Sequence, residues 1–227
     1  MTPAAGITRV FLGRRRAGLS PQAARAHWRT VHAPIAAEIP GALRYVQNHA
    51  VEETPATYCG FDICMEMAFE SADAMEAGFA HAVQLGAEED EANFLDPARS
   101  VLFVGRRDAW PPDDEGREGV VKTLLLARAY HRTADAAAEL ASELRAGGWN
   151  DVVAGVDGFE TPYHLVADDE LRRRFGPFGV DAVLVAYSDA DTAAAPAAAF
   201  ELRDAVHSRL SVFGLETLVA QPFVVVS

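Results

Sequence analysis

The chain has 227 residues, of which 50% are hydrophobic, and its formal net charge at pH 7 is −13. This length allows one large domain or two small domains with a buried core. The acidic balance argues against nucleic-acid binding, because phosphates need a basic face. No apolar run approaches the ~20 residues that span a bilayer, and the first residues do not form a secretion signal. We therefore expect a cytoplasmic protein without a membrane partner.

The first half of the sequence alternates strand and helix patterns. Ser20 followed by Pro21 is a favourable helix start, because the hydroxyl can cap the helix and proline suits its first turn. Pro34 disfavours continued helix at the preceding residue, so His32 is predicted to lie at a kink. The predicted elements are, in chain order, strand 7–13, helix 20–38, strands 42–51 and 61–69, helix 71–83, a short helical patch 88–94 and strand 100–106.

The stretch 108–119, rich in proline, glycine and charge, is typical of a linker. It separates a predicted first domain, residues 1–107, from a predicted second domain, residues 120–227. A helix in the second half is expected to stop at two adjacent glycines, Gly147 and Gly148. The predicted elements there are strand 120–130, helix 134–146, a weaker strand 151–156, strand 180–187, helix 195–213 and strand 216–226, with segment 158–179 left unassigned.

The two halves share a sequence pattern. GFDICMEMAFESAD begins at Gly60 and GVDAVLVAYSDAD begins at Gly179, which indicates duplication. Each half then has the order β-α-β-β-α-β of a ferredoxin-like unit. One face of such a sheet is left bare by its helices, so two units can cover each other. The predicted fold is α+β, with two tandem ferredoxin-like βαββαβ units packed sheet to sheet as an intrachain α+β barrel that encloses a cavity.

Alternation along the strands predicts which side chains share a face. The odd positions of strand 61–69 are apolar and should lie under the helices, whereas Asp62, Cys64 and Glu66 share the opposite face. Tyr45, Gln47 and His49 share one face of the preceding strand, and the pattern does not decide which face that is. In the second half valines replace Cys64 and Glu66, so we expect an apolar wall there and a single working site.

Trp28 belongs to the apolar stripe of the first helix, and His32 lies at the edge of that stripe. His27 and His32 are about 140° apart on a helix with ~100° per residue, which argues against a helical metal pair. Cys59 and Cys64 would be about 17 Å apart on opposite faces of a strand, which excludes a disulfide. Two cysteines alone do not form a zinc site, so no metal site is expected.

Several motifs occur together in the first half: Trp-x-x-x-His-x-Pro, Arg-Tyr-x-x-Asn-His and, later, Asn-Phe-Leu-Asp. In this order, over roughly residues 7–107, they resemble an EthD-type domain of the dimeric α+β barrel group. That resemblance implies two ferredoxin-like units packed sheet to sheet, here with a diverged second copy fused in one chain. It also implies catalysis by histidine, tyrosine or carboxylate groups in an enclosed pocket, without a metal or organic cofactor.

The lead hypothesis is a cofactor-independent lyase or isomerase acting by dehydration, decarboxylation, cyclisation or isomerisation on a small cyclic or aromatic, polyketide-like carbonyl compound. Histidine suits proton transfer near neutral pH. The predicted catalytic residues are His32, His49, Tyr45 and Asp62, and the predicted substrate-binding residues are Gln47, Glu66, Cys64 and Trp28. A cofactor-free monooxygenase of a phenol and a small-molecule or heme binding protein without catalysis are the alternatives. A homodimer also stays open.

Overall fold

The computed structural model describes residues 6–51, 60–108, 120–129, 133–188, 194–210 and 212–226. The described chain divides into two compact units. Of the described residues, unit 1 comprises 6–49, 60–102 and 223–226, and unit 2 comprises 50, 51 and those between 103 and 222. The predicted domain boundaries stay predictions, and all but the first residue of the predicted linker lies outside the described residues, as does Cys59.

The described residues of the first half form four strands and four α-helices, with one π-helical turn between the first two helices. In chain order these are β1 (Ile7–Arg15), α1 (Pro21–His27), the π turn (Trp28–His32), α2 (Ala33–Ala37), β2 (Ala42–Ala50), β3 (Ile63–Phe69), α3 (Ala72–Gln84), α4 (Ala87–Phe94) and β4 (Leu95–Arg107).

The second half also forms four strands and four helices among its described residues. These are β5 (Val121–Ala129), α5 (Ala134–Arg145), α6 (Gly148–Val153), β6 (Glu160–Val166), α7 (Asp169–Phe175), β7 (Ala182–Ser188), α8 (Ala195–Arg209) and β8 (Val212–Val226). Within each unit every recorded strand pair is antiparallel, and the mixed α+β class is as predicted.

The strand orders of the two units correspond. In unit 1, β3 lies between β1 and β2. In unit 2, β7 lies between β5 and β6, and β8 pairs with the outer edge of β5. Each unit therefore places its third strand beside its first and second. The ferredoxin-like arrangement agrees with these pairings, but the predicted packing of one sheet on the other stays a prediction.

Two aspartates at equivalent places support the predicted internal repeat. The backbone N–H of Asp62 donates to the carbonyl of Gly13, and its carboxylate accepts from the backbone N–H of Arg15 at 2.8 Å. Asp181 repeats both bonds, to the carbonyl of Ala127 and from the backbone N–H of Ala129 at 2.9 Å. The shared aspartate of the two sequence repeats therefore joins the third strand of each unit to the first.

One predicted element was wrong. Residues 151–156 were expected to form a strand, but helix α6 continues through Val153, and the strand lies further on as β6 in the segment left unassigned. The reason is visible in the burial of Trp149, Val152 and Val153, whose spacing of three and four residues puts them on one helical face. Apolar runs this short fit either periodicity, and packing decides between them.

Helix α3 approaches the chain before β2 so closely that a side chain does not fit at Gly78. A Cβ built there would lie 2.6 Å from the carbonyl oxygen of Pro40 and 3.1 Å from the Cγ2 of Ile39. Alanine normally stabilises a helix interior relative to glycine by about 1 kcal/mol. At this position the contact with backbone reverses the sign, since a carbonyl cannot move aside as a flexible side chain does.

We therefore predict that Gly78→Ala lowers the free energy of unfolding by about 1–3 kcal/mol. Urea denaturation followed by circular dichroism measures it. Gln84→Ala at the exposed end of the same helix is the control and should change the value by less than about 0.5 kcal/mol. Equal stability of the Gly78→Ala variant and the parent chain would contradict the close approach.

Candidate functional site

Unit 1 contains a cavity of about 130 Å³ between one face of its sheet and the helices that cover it. A cavity of about 150 Å³ in a protein core accepts a benzene molecule, so this space suits a single ring. Apolar side chains and a smaller number of polar and charged side chains share its wall. The residues that line the cavity include Arg9, Trp28, His32, Tyr45, Met67 and Glu91.

His32 reaches this cavity from an irregular part of the first helical segment. Between Trp28 and His32 the helix widens into a π turn, in which the N–H of Ala33 donates to the carbonyl of Trp28, five residues earlier. Pro34 follows directly and cannot donate to a preceding carbonyl, which favours departure from α-helical pairing here. The structure has this π turn at the place where a kink was predicted, and single π turns often mark functional sites.

A buried carboxylate holds His32 in place. The Nδ1 atom of His32 lies 3.0 Å from one oxygen of Asp90, and the Nε2 atom of His27 lies 2.8 Å from the other. The side-chain amide of Asn93 donates to Asp90 as well, at 3.2 Å. Both imidazole rings also contact the ring of Phe94, with centroids 5.1 and 5.2 Å away. Helix α4 thus fixes the orientation of two histidines from the π turn and helix α1.

The pKa values define the protonation of this pair. Burial alone would raise the pKa of Asp90, but the hydrogen bonds from His27, Asn93 and His32 outweigh it and lower the pKa below its usual value. Burial lowers the pKa of His32 below 6.5, and the hydrogen bond to Asp90 only partly opposes that effect. At neutral pH the pair is a carboxylate beside a neutral imidazole. The carboxylate can only accept at Nδ1, so the proton lies on Nδ1 and Nε2 carries a lone pair.

Tyr45 supplies a neutral hydroxyl to the same cavity. The amide of Gln47 donates to this hydroxyl at 2.9 Å and also to the backbone carbonyl of Trp28 at 3.0 Å. Burial raises the pKa of Tyr45 well above its usual value, although hydrogen bonds from the side chains of Gln47 and Trp28 oppose the shift. The phenol therefore keeps its proton, and its oxygen already accepts from neighbours. Its O–H is left to donate to a ligand.

His49 lies behind this group and does not line the cavity. Its ring is tilted on the ring of Trp28, with centroids 5.0 Å apart, and its Nε2 lies 3.2 Å from the amide oxygen of Gln47. Burial, together with the nearby guanidinium groups of Arg29 and Arg25, lowers the pKa of His49 to about 4. A neutral His49 supports Gln47 and Trp28, which in turn hold Tyr45.

Three predicted site residues lie on the other face of the sheet. Asp62 forms an ion pair with the side chain of Arg15 at the strand end. Glu66 accepts a hydrogen bond from the amide of Asn48 at 2.9 Å, and that amide also donates to the backbone carbonyl of Cys64 at 3.2 Å. The structure therefore brings Trp28, His32, Tyr45, Gln47 and His49 together and separates them from Asp62, Cys64 and Glu66.

Asp90 is the main site residue that sequence reasoning missed. It belongs to an acidic run that is typical of a solvated helix face, so its burial was not expected. One available signal was the position of Asp90 relative to the Asn-Phe-Leu-Asp motif. That motif begins at Asn93, three residues after Asp90. Arg9 was missed too, because a lone arginine in an apolar strand has no pattern around it.

One face of the sheet in unit 2 is less apolar than predicted. Lys122 is fully buried in unit 2, and its amine lies 5.6 and 5.5 Å from the ring centroids of Tyr163 and Tyr187. These residues share a strand face with Val183 and Val185, which do supply the apolar wall that was expected. Tyr163 lies in the segment that the sequence pattern left unassigned, whereas Lys122 and Tyr187 lie in predicted strands whose apolar neighbours dominate the pattern.

Among the residues that the structure describes, no three histidine, cysteine, aspartate or glutamate side chains are placed to share a metal ion. None of the described helices combines the length and hydrophobicity needed to cross a membrane.

The low pKa of His49 has a consequence for stability. The folded pKa is about 4 and the ordinary value is about 6.5, so the unfolded chain binds more protons between these limits. The contribution of His49 to the free energy of unfolding is therefore fully present above pH 6.5, and it is lost as the pH falls toward 4. His32, whose pKa is also lowered, acts in the same direction.

We predict that His49→Phe, which keeps a ring against Trp28, reduces the loss of stability between pH 7.0 and pH 4.5. Urea unfolding at both pH values measures this loss for each variant. His81→Gln, on an exposed face of α3, is the control and should leave the loss unchanged. If His49→Phe and the parent chain lose the same amount, His49 is not the titrating group.

Structures of known proteins share the fold. An anthrone oxidase-like protein superposes with a TM-score of 0.60 at 11% identity, over 99% of this chain and 96% of that chain. A mutant chlorite dismutase from Candidatus Nitrospira defluvii gives a TM-score of 0.54 at 9% identity, over 96% and 91%. A provisionally assigned monooxygenase from Lactobacillus acidophilus NCFM gives 0.53 at 10%, over 96% and 94%. At these identities the likeness shows the fold alone.

No curated protein matches the chain. The model of the EthD domain family matches residues 16–98. This range holds the Trp-x-x-x-His-x-Pro motif, both histidines that contact Asp90, and Asp90 itself. Residues 16–98 therefore match the EthD domain family, in the part of the chain where the sequence motifs indicated it.

Proposed function

We propose that the chain is an enzyme that moves a proton on a small cyclic or aromatic carbonyl compound, using protein groups alone. The observation that carries the proposal is the neutral His32, held by the Asp90 carboxylate at the wall of a cavity of mixed polarity that Tyr45 also lines. A base, a group that orients it and a hydroxyl donor are the parts required for enolate chemistry.

In this mechanism Nε2 of His32 takes a proton from the carbon next to the substrate carbonyl. The electron pair of the broken C–H bond forms the C=C bond of an enolate, and the carbonyl electrons move to oxygen. The O–H of Tyr45 donates to that oxygen. Asp90 stabilises the imidazolium that forms at His32. Return of the proton at another carbon gives an isomer. Departure of a β-hydroxyl group, which takes the proton of the imidazolium and leaves as water, gives a dehydrated product. In a decarboxylation no C–H bond breaks first: CO₂ leaves, the electron pair of the broken C–C bond forms the same enolate, and the enolate then takes up a proton from solvent.

The cavity narrows the substrate class. At about 130 Å³ it holds one ring, so the polyketide-like compounds considered from the sequence are limited to single-ring members. The sulfur and aromatic side chains of Met65, Met67 and Phe11 favour an apolar ring over a sugar or a phosphate. His49, Gln47 and Trp28 serve the hydroxyl of Tyr45. Asp62, Cys64 and Glu66 have no part in this form of the proposal.

A cofactor-free monooxygenase is the second candidate. The same base would remove the proton of a phenol, and the phenolate would react directly with oxygen. Proteins of similar fold described as anthrone oxidase-like and as a monooxygenase support this alternative. Oxygen uptake with a single-ring phenol distinguishes it from proton transfer alone. The homodimer and the cytoplasmic location stay predictions.

We predict that the protein catalyses exchange of the α-protons of cyclohexanone with D₂O, followed by proton NMR, and that His32→Gln slows this exchange at least 100-fold, the usual contribution of a general base. His27→Gln is the matched control, because His27 binds the same carboxylate but does not line the cavity. It should cost less than tenfold. A His32→Gln variant that exchanges protons as fast as the parent chain would overturn the assignment. Tight binding without exchange would indicate a binding protein.

We further predict that Asp90→Asn slows exchange at least tenfold, because the imidazole loses the acceptor that fixes its tautomer. Asp90 raises the pKa of His32, so its removal should also move the acid limb of the pH–rate profile to lower pH. Folding defects alone would not move that midpoint. A slower variant with an unmoved midpoint would show that Asp90 acts only through the fold.

A further inference from the structure

Arg9 and Tyr45 lie at opposite edges of the cavity floor. In the antiparallel register, Met67 of the central strand is opposite Arg9 on one side and opposite Tyr45 on the other. Neighbouring strands are about 4.8 Å apart, so the backbones at Arg9 and Tyr45 are separated by roughly 10 Å. All three side chains line the cavity. A ring lying on Met67 therefore has Tyr45 at one edge and Arg9 at the other.

The guanidinium group of Arg9 is held but not saturated. Its central carbon lies 3.7 Å from the centroid of the Phe79 ring, which fixes the plane of the group. Its Nε is buried and makes no hydrogen bond to any residue that the structure describes. A buried donor without an acceptor is unfavourable, and a ligand oxygen at this place would remove the deficit.

The charges around Arg9 indicate which kind of oxygen fits. Glu88 and Glu91 line the same rim of the cavity. Both carboxylates act on Arg9 through their charge, so its positive charge is already balanced nearby. A negatively charged ligand group would be repelled by these two carboxylates, whereas a neutral carbonyl or hydroxyl oxygen would not be. A neutral acceptor therefore fits this edge better than a carboxylate does.

We propose that Arg9 binds a second oxygen substituent of the substrate, at the ring edge opposite the oxygen that Tyr45 binds. The substrate class is then a single ring with neutral oxygen functions in a 1,4 relation, such as a 4-hydroxy cyclic ketone, and benzene-1,4-diol is a binding probe with the same placement of its two oxygens. This assignment rests on the proposed function for the location of the reacting oxygen at Tyr45. Arg9 is a specificity residue in it and takes no part in proton transfer.

Binding of three phenols under nitrogen tests the proposal by calorimetry on the full chain. Phenol has one oxygen, benzene-1,2-diol has two adjacent oxygens, and benzene-1,4-diol has two opposed oxygens. The parent chain should bind benzene-1,4-diol at least tenfold more tightly than either of the others, because a hydrogen bond to a charged donor has this effect. Arg9→Met should abolish that preference while keeping the affinity for phenol within about twofold.

Two further variants keep the outcome interpretable. Arg9→Gln retains a neutral N–H donor and should retain part of the preference, which also covers the case that Arg9→Met does not fold. Arg14→Met, on the same strand but exposed, should leave all three affinities unchanged. Phenol binding without a preference for the 1,4-diol, or a preference that survives Arg9→Met, overturns the role of Arg9 and leaves the proposed function standing. Absence of phenol binding to the parent chain overturns both.

Discussion

The candidate site depends on one buried carboxylate shared by two imidazole rings. Asp90 joins helix α4 to the π turn and to α1 through hydrogen bonds of 3.0 and 2.8 Å. A carboxylate in a water-poor place is costly unless several donors surround it. His27, His32 and Asn93 are those donors, and their number explains why the pKa of Asp90 is lowered although burial acts against it. The same bonds that stabilise the charge set the tautomer of His32.

On the sheet, alternation along strand β2 places a second set of hydrogen-bonded side chains on one face. Tyr45, Gln47 and His49 alternate along β2 on the side of the helices, so each polar group reaches the next along the strand. Trp28 is the last member of this set, since its backbone carbonyl accepts a hydrogen bond from the amide of Gln47. In the π turn that carbonyl is not paired in the α-helical manner. Apolar contacts alone could place these residues near each other, but the hydrogen bonds determine which atom faces the cavity.

Periodicity in the sequence predicted most of the strands and helices and the shared face of Tyr45, Gln47 and His49, because those features depend on local repeats of two and 3.6 residues. The direction of that face was not predictable, since Arg44, Val46 and Asn48 on the other face are equally mixed in polarity. The partner of His32 was missed for a related reason. Asp62 and Asp90 are both acidic residues near an element boundary, so the sequence does not distinguish them. Their tertiary contacts do, because Asp90 binds His32 whereas Asp62 binds Arg15.

The internal repeat has left one proposed site because the two helix-to-sheet cores are filled differently. In unit 2, Trp149 is fully buried against the sheet, where its indole N–H reaches the carbonyls of Tyr163 and Val185, each at 3.0 Å. Large aliphatic side chains such as Leu125 and Leu184 complete that cluster. In unit 1 the corresponding space is bounded by His32, Tyr45 and Arg9 and stays open. Close packing stabilises the core of unit 2. In unit 1 the cavity lowers the packing contribution to stability, and it leaves polar groups at a place where a ligand can bind them.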